Sequence, residues 1–201
     1  SAFVDGNTSW PTTQPRWVQF IKELSTALHA QNKLLSITSP VAFNPASGKK
    51  GYYVYAWPEI STYIDRLRIM TYDYSVATPG PIGPISWTED AVSYAVSVIP
   101  ASKIFVGIPG YGRDWITAVS GICPSNVASS IKVGAKAATF VLRDAQNLAA
   151  SYGATPTFSD KYGESTFNYQ KTYIGTTSAG LATQCTASRT AWYQDAKSFA
   201  L

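Results

Sequence analysis

An α/β fold built on a parallel sheet is what this sequence predicts, and three observations carry that reading. Amphipathic helical stretches alternate with short apolar stretches at a period of roughly 35–40 residues. The apolar stretches are nearly continuous, as in strands covered on both faces. Each of them stops at a segment containing Pro or Gly.

Each element follows from its residues. Over 15–31, Trp17, Phe20, Ile21, Leu24 and Leu28 recur at three- and four-residue spacing, which predicts an amphipathic helix with Pro15 in its first turn. Residues 33–39 follow as a buried strand stopped by Pro40. A loop rich in Gly, Lys and aromatics occupies 41–57, and a short helix is expected over 58–64. Residues 66–72 form the second strand. The Pro/Gly segment 77–84 then leads to Ser86 and Glu89, spaced as a capping box at the head of a helix reaching about 98. The third strand, 103–109, is apolar without alternation. The three strands are expected to be parallel, adjacent and in chain order, with helices on one outer face. Beyond Trp115 the texture changes. Residues 116–136 are rich in Ser, Gly, Ala and Val, 137–151 read as a helix, and 155–174 read as a hairpin bearing Phe158, Phe167, Tyr169 and Tyr173. The expected organisation is therefore a β/α segment over 1–118, an α+β insertion over 119–190, and a return over 191–201.

Composition excludes several classes of function. Charged residues make up 14% of the 201 residues against 45% hydrophobic, so the chain buries a sizeable core and is not disordered. The formal charge is +4 with scattered basic residues, and the longest basic run is Lys49-Lys50, which leaves no footprint for nucleic acid. One His and two Cys exclude the usual all-protein zinc site and make any serine triad depend on His29. No apolar run is long enough for a membrane span. The chain opens on Ser1 and its one methionine is Met70, so it reads as a processed product or a fragment.

Chemistry concentrates at two strand ends. Met70-Thr71-Tyr72-Asp73-Tyr74 sets a carboxylate between two phenols where the second strand ends, the place at which α/β barrels carry functional groups. A helix- or loop-capping Asp is the alternative. The third strand ends in Gly107-Ile108-Pro109-Gly110-Tyr111-Gly112-Arg113-Asp114-Trp115, whose glycines permit a sharp turn while Tyr111, Arg113 and Trp115 face one mouth. Its alternative is a structural turn with an Arg113–Asp114 surface pair. Other conspicuous residues have plainer readings. His29 sits near a helix end, where a cation is favourable. Trp17 and Trp87 belong to the core, and Tyr55 and Trp57 either offer rings for a ligand to stack on or pack their own loop. Asn7-Thr8-Ser9 matches a glycosylation sequon.

Taken together, the two strand-end motifs resemble the sixth and seventh barrel strands of glycoside hydrolase family 18, which holds chitinases, N-acetylglucosaminidases and spore-cortex-lytic enzymes. Residues 33–40 resemble the fifth strand, and 163–169 and 190–198 resemble the insertion and the segment that follows it. The resemblance implies a partial (β/α)₈ TIM barrel, strands five to seven, carrying a small α+β insertion. It implies a substrate-assisted retaining glycosidase that needs no cofactor, in which the sugar's N-acetyl oxygen attacks the anomeric carbon. Tyr72 and Asp73 would be the catalytic residues, with the Tyr72 hydroxyl on the acetamide and Asp73 near the scissile sugar. Met70, Tyr111 and Arg113 would bind substrate, an N-acetylated polysaccharide such as chitin or peptidoglycan. Cys123 and Cys185 bracket the insertion, and a disulfide between them would tie its two ends together and place the protein in a secreted or extracellular setting. Two buried thiols are the alternative.

The family's fourth-strand D-x-x-D-x-D-x-E pattern, which supplies the general-acid Glu, does not occur, and Asp5 stands alone beside Gly6. A full barrel takes about 250 residues. The chain alone is therefore expected to be inactive, with the rest of its own barrel as a candidate partner. Two further readings stay open: a non-catalytic chitinase-like carbohydrate-binding protein, and a structural module completed by another chain.

Overall fold

The computed structural model describes residues 10–201; Asp5 and the sequon Asn7-Thr8-Ser9 lie outside the described residues. The chain divides into two compact units. One runs up to Tyr72 and includes Ser86–Ile108, and the other comprises Asp73–Ile85 and Pro109–Leu201.

In the first unit, α1 (Trp10–His29) buries Ile21 and packs Trp17, Val18, Leu24 and Leu28 on the core, as the apolar stripe requires. The helix starts earlier than expected, because Trp10 packs its ring 5.9 Å from that of Tyr53 and anchors an added turn. Pro15 consequently lies inside the helix instead of in its first turn, and one i→i−4 bond is lost. At the other end His29 Nε2 meets Asp65 Oδ2 at 2.8 Å, and the same oxygen accepts the Leu35 N–H at 2.7 Å. One carboxylate thus ties the end of α1 to the start of the sheet.

That sheet contains β1 (Ser36–Pro40), β2 (Arg66–Met70) and β3 (Ile104–Val106), parallel and in the order β1-β2-β3, as the sequence predicts. Ser36 pairs with Arg66 and Leu67 with Ile104. Ile37, Leu67 and Ile69 point into the core, together with Ala91 and Ala95. The expectation that both strand faces are covered does not hold within this chain. Ser36, Thr38, Arg66 and Arg68 alternate with the buried residues, and Phe105 lies exposed with the Arg66 and Arg68 guanidinium groups 5.7 and 5.4 Å from its ring. Period-two alternation is the mark of a sheet with one face against a core.

The short helix α2 (Trp57–Ile60) carries Trp57 into the core, where its indole N–H donates to Ser39 Oγ at 2.9 Å, so Trp57 packs its loop and is not a sugar platform. Tyr55 stands edge-on to Trp17 and accepts the Trp17 indole N–H on its carbonyl. Trp17 and Trp87 pack on the core as expected. Helix α3 (Ile85–Val98) begins one residue ahead of the capping box, which places Ser86 inside the first turn. The Ile85 N–H donates to the Tyr162 carbonyl at 3.0 Å, so a first-turn amide is satisfied without the Ser hydroxyl.

The second unit is a five-stranded antiparallel sheet in the order β5-β4-β8-β7-β6: β4 (Tyr111–Gly121), β5 (Ala138–Val141), β6 (Thr157–Ser159), β7 (Glu164–Thr176) and β8 (Ala182–Tyr193), with helix α4 (Ala145–Ser151). The expected hairpin is the β6–β7 pair, extended by a second turn into β8. Positions 118/119 and 190/191 lie inside β4 and β8, which pair from Arg113–Trp192 to Gly121–Cys185 with a bulge between Ile116 and Ala118. One expectation is corrected. Residues 138–141 are strand and not helix: Thr139, Phe140 and Val141 are β-formers, and Phe140 packs 6.4 Å from Phe167 and 6.1 Å from Tyr193. A Cβ on Gly112 would stand 2.2 Å from the Phe140 ring, so only glycine admits this ring.

Cys123 and Cys185 form the expected disulfide, with Cα atoms 4.6 Å apart. It closes the far end of the β4–β8 ladder, where Gly121 pairs with Cys185, rather than joining the two ends of the insertion. No helix among the described residues is long and apolar enough to cross a membrane.

Candidate functional site

The end of β2 is shaped by the strand beside it. Thr71 Oγ1 donates to the Gly107 carbonyl at 2.7 Å, and the Gly107 N–H donates to the Ile69 carbonyl at 2.8 Å. A Cβ on Gly107 would lie 2.7 Å from that carbonyl oxygen and 3.1 Å from the Tyr72 ring, so a glycine there is what lets the ring lie over the end of β3. Met70 and Tyr72, both half-buried, are thereby set at the C-terminal end of β2 within the first unit.

Asp73 opens the second unit. Its φ of 64° is left-handed, a conformation that a short polar side chain tolerates better than most. The carboxylate is not a helix cap. Its Oδ1 accepts Arg113 Nη2 at 2.5 Å and Nε at 3.2 Å, and also accepts the Tyr111 hydroxyl. Tyr111 and Arg113 reach it together because they stand two apart on β4 and so share a face. The Arg113 guanidinium also lies 5.4 Å from the centre of the Tyr111 ring. Its side chain is 12% exposed and that of Asp73 42%, a shielded cation under a carboxylate open to solvent.

Electrostatics follow from this packing. Burial works against the charge on Arg113, but the hydrogen bond and charge of Asp73 outweigh it and hold the guanidinium above its ordinary value. Burial, and then the bond to Asp73, push the Tyr111 phenol well above the usual range, so it remains a neutral donor. The result is a fixed anion held by two donors.

Asp114 does not pair with Arg113 at the surface. It points to the opposite face of β4, where its oxygens accept Arg189 Nε at 2.9 and 3.0 Å and the Tyr169 hydroxyl at 2.5 Å. Trp115 is likewise buried, its indole N–H on the Val76 carbonyl at 3.0 Å. The structure therefore brings Asp73, Tyr111 and Arg113 together, removes Asp114 from them, and buries Trp115 against the loop that follows Asp73.

Sequence reasoning gave Glu164 no role. Its side chain is fully buried, with Oε2 accepting the Ile82 N–H at 2.7 Å and Oε1 accepting the Gly83 N–H at 2.6 Å and Gln194 Nε2 at 3.1 Å. Burial pushes its carboxyl above the ordinary value, and these three donors pull it back without cancelling the rise. The available signal was a carboxylate at the head of the strand Glu164–Thr176, directly after Gly163. Among the described residues no group of His, Cys, Asp and Glu could hold a metal ion.

Residues 4–199 match the model of glycosyl hydrolases family 18. An uncharacterized glycosylase of Bacillus subtilis is 25% identical over 161 residues, 79% of this chain and 43% of that protein. The cortical fragment-lytic enzyme of the same organism is 26% identical over 150 residues, 72% of this chain and 33% of that protein. The chain thus spans less than half the length of these relatives. Among solved structures, a chitinase from Chromobacterium violaceum superposes with a TM-score of 0.72 at 30% identity, over 94% of this chain and 52% of that one. A sporulation-specific glycosylase of B. subtilis superposes with a TM-score of 0.73 at 22% identity, over 94% and 55%, a likeness of fold alone. A family match over nearly every residue, with TIM-barrel-type α/β neighbours, leads to one conclusion: this chain belongs to glycosyl hydrolases family 18.

Proposed function

We propose that the chain is part of a secreted glycosidase that cleaves N-acetylglucosamine-containing polymers, chitin or peptidoglycan, by a substrate-assisted retaining mechanism. Its three parallel strands are the fifth to seventh of a (β/α)₈ barrel. The observation that carries this reading is the carboxylate of Asp73 held by Arg113 and Tyr111 directly after Tyr72. In the reaction, the acetamide oxygen attacks the anomeric carbon, the glycosidic bond breaks, and a Glu outside this chain gives its proton to the leaving oxygen. The oxazolinium formed is cationic. A carboxylate hydrogen-bonded to a guanidinium suits its stabilisation, and the Tyr72 hydroxyl suits a hydrogen bond to the acetamide. Tyr111 and Arg113, beside Asp73, would be the substrate-binding groups of the second unit, and Met70 that of the first. The disulfide supports a setting outside the reducing cytosol.

The test uses the whole protein that contains this chain. Asp73→Asn should lower turnover by about 10²–10³ on a chromogenic N-acetylglucosaminide. Tyr72→Phe should lower kcat more than it changes KM, because its bond strengthens as charge develops. Equal losses in both constants would overturn the role of Tyr72. The 201-residue chain alone should show no turnover, and activity comparable to the whole protein would mean that the acid has been misplaced. A whole protein that binds the polymer without cleaving it would mark a carbohydrate-binding relative instead.

A further inference from the structure

We propose that Glu164 is a positioning residue that fixes the loop carrying Asp73. The inference rests on the reading of Asp73 as the site carboxylate. The segment Asp73–Ile85 belongs to the second unit, and its hydrogen bonds form a continuous path. Glu164 accepts the N–H of Ile82, and the carbonyl of Ile82 accepts the N–H of Tyr74 at 2.8 Å, one residue from Asp73. Ile82 is therefore gripped on both sides of its own backbone. Gly83 gives its N–H to the other oxygen of Glu164, and its carbonyl takes Gln194 Nε2 at 3.2 Å.

A carboxylate is required at 164 by the count of donors. Two consecutive backbone N–H groups and a Gln194 N–H all point at its two oxygens, and among the described residues it meets no acceptor that would call for a proton. A Gln there would turn an NH₂ toward one of the amides and leave a buried donor unmatched. The need for such a clamp lies at Asp73. A non-glycine residue at φ 64° persists only where its surroundings hold it, and Tyr74 is the first of those surroundings. The Trp115 indole on the Val76 carbonyl restrains the same loop from β4.

The clamp can be read without substrate. In this chain labelled with ¹⁵N, Glu164→Gln should raise amide hydrogen exchange at Tyr74, Ile82 and Gly83 by at least about tenfold, the loss of one matched bond. Exchange in β2 should stay unchanged. The same variant should lower the pKa of the Tyr111 phenol, because a displaced Asp73 no longer takes its proton. A residue that only filled space would not move that titration. Gln194→Leu keeps the carboxylate and removes one donor, and should give a smaller change of the same kind. If Glu164→Gln does not fold, Gln194→Leu carries the test. Unchanged Tyr74 exchange together with an unchanged Tyr111 titration, in whichever variant folds, overturns the proposal. In the whole protein Glu164→Gln should lower kcat with little change in KM. If the loop loosens but Asp73→Asn leaves turnover intact, the glycosidase reading fails while the clamp stands.

Discussion

Removing the cation under Asp114 should cost the second unit about 3–5 kcal/mol, the usual penalty for leaving one partner of a buried ion pair alone. The Arg189 and Asp114 side chains are 9% and 6% exposed, so solvent cannot replace the lost partner. Arg189→Met removes the N–H that bridges both Asp114 oxygens at 2.9 and 3.0 Å, and leaves the carboxylate with Tyr169. Burial opposes the charge of Arg189, and Asp114 more than compensates for it, so each group depends on the other. The triple change Asp114→Leu, Arg189→Met, Tyr169→Phe removes every polar atom of the cluster. It should end within about 1–2 kcal/mol of the parent, because no charge is then left to desolvate. Urea unfolding followed by tryptophan emission suits the measurement, since Trp115 and Trp192 lie on the neighbouring strands β4 and β8. A single change costing under about 1 kcal/mol, or a triple equal to the sum of its parts, would refute the reasoning.

Replacing Cys123 and Cys185 together by Ser should cost about 4 kcal/mol in the chain-entropy account of a closed loop with this 62-residue separation, and melts with and without reductant measure it. Asp65 gives a pH dependence of known sign. Its carboxyl is held below the ordinary value chiefly by the His29 hydrogen bond and then by the Leu35 amide, with burial opposing. Its contribution is therefore fully present above the ordinary carboxylate range and is lost as pH falls through the lowered value. The stability difference between the parent and Asp65→Asn should shrink on acidification below about pH 4, and a difference that grows instead would reverse the assignment.

The parallel strands were legible because their residues carry local information: apolar runs, strand-ending Pro40 and Gly107, and regular spacing. The site residues Asp73, Tyr111 and Arg113 were legible as motifs at strand ends, since a turn sets where they stand. What escaped depended on partners distant in sequence. The β-formers of 139–141 were masked by the helical pattern that follows them, and Gly112, which admits the Phe140 ring, stands far from them in sequence. Asp114 and Arg113 are neighbours in sequence but face opposite sides of β4, and nothing local says that Arg189, 75 residues on, will take the first. Glu164 was silent for the same reason, because its donors lie 81 and 82 residues earlier. The exposure of Phe105 was hidden by a third strand that reads as apolar throughout, whereas Arg66 and Arg68 already alternate with apolar residues in the second.

Position 73 keeps its strain because of its charge. The left-handed backbone there costs an Asp something on the order of 1 kcal/mol that a glycine does not incur. Gly or Asn would relieve that strain, yet either one takes the carboxylate away from a guanidinium that is only 12% exposed, and a shielded cation left without its counter-charge loses more than the strain returns. Selection for heat resistance and retention of the anion therefore pull the same way at this residue.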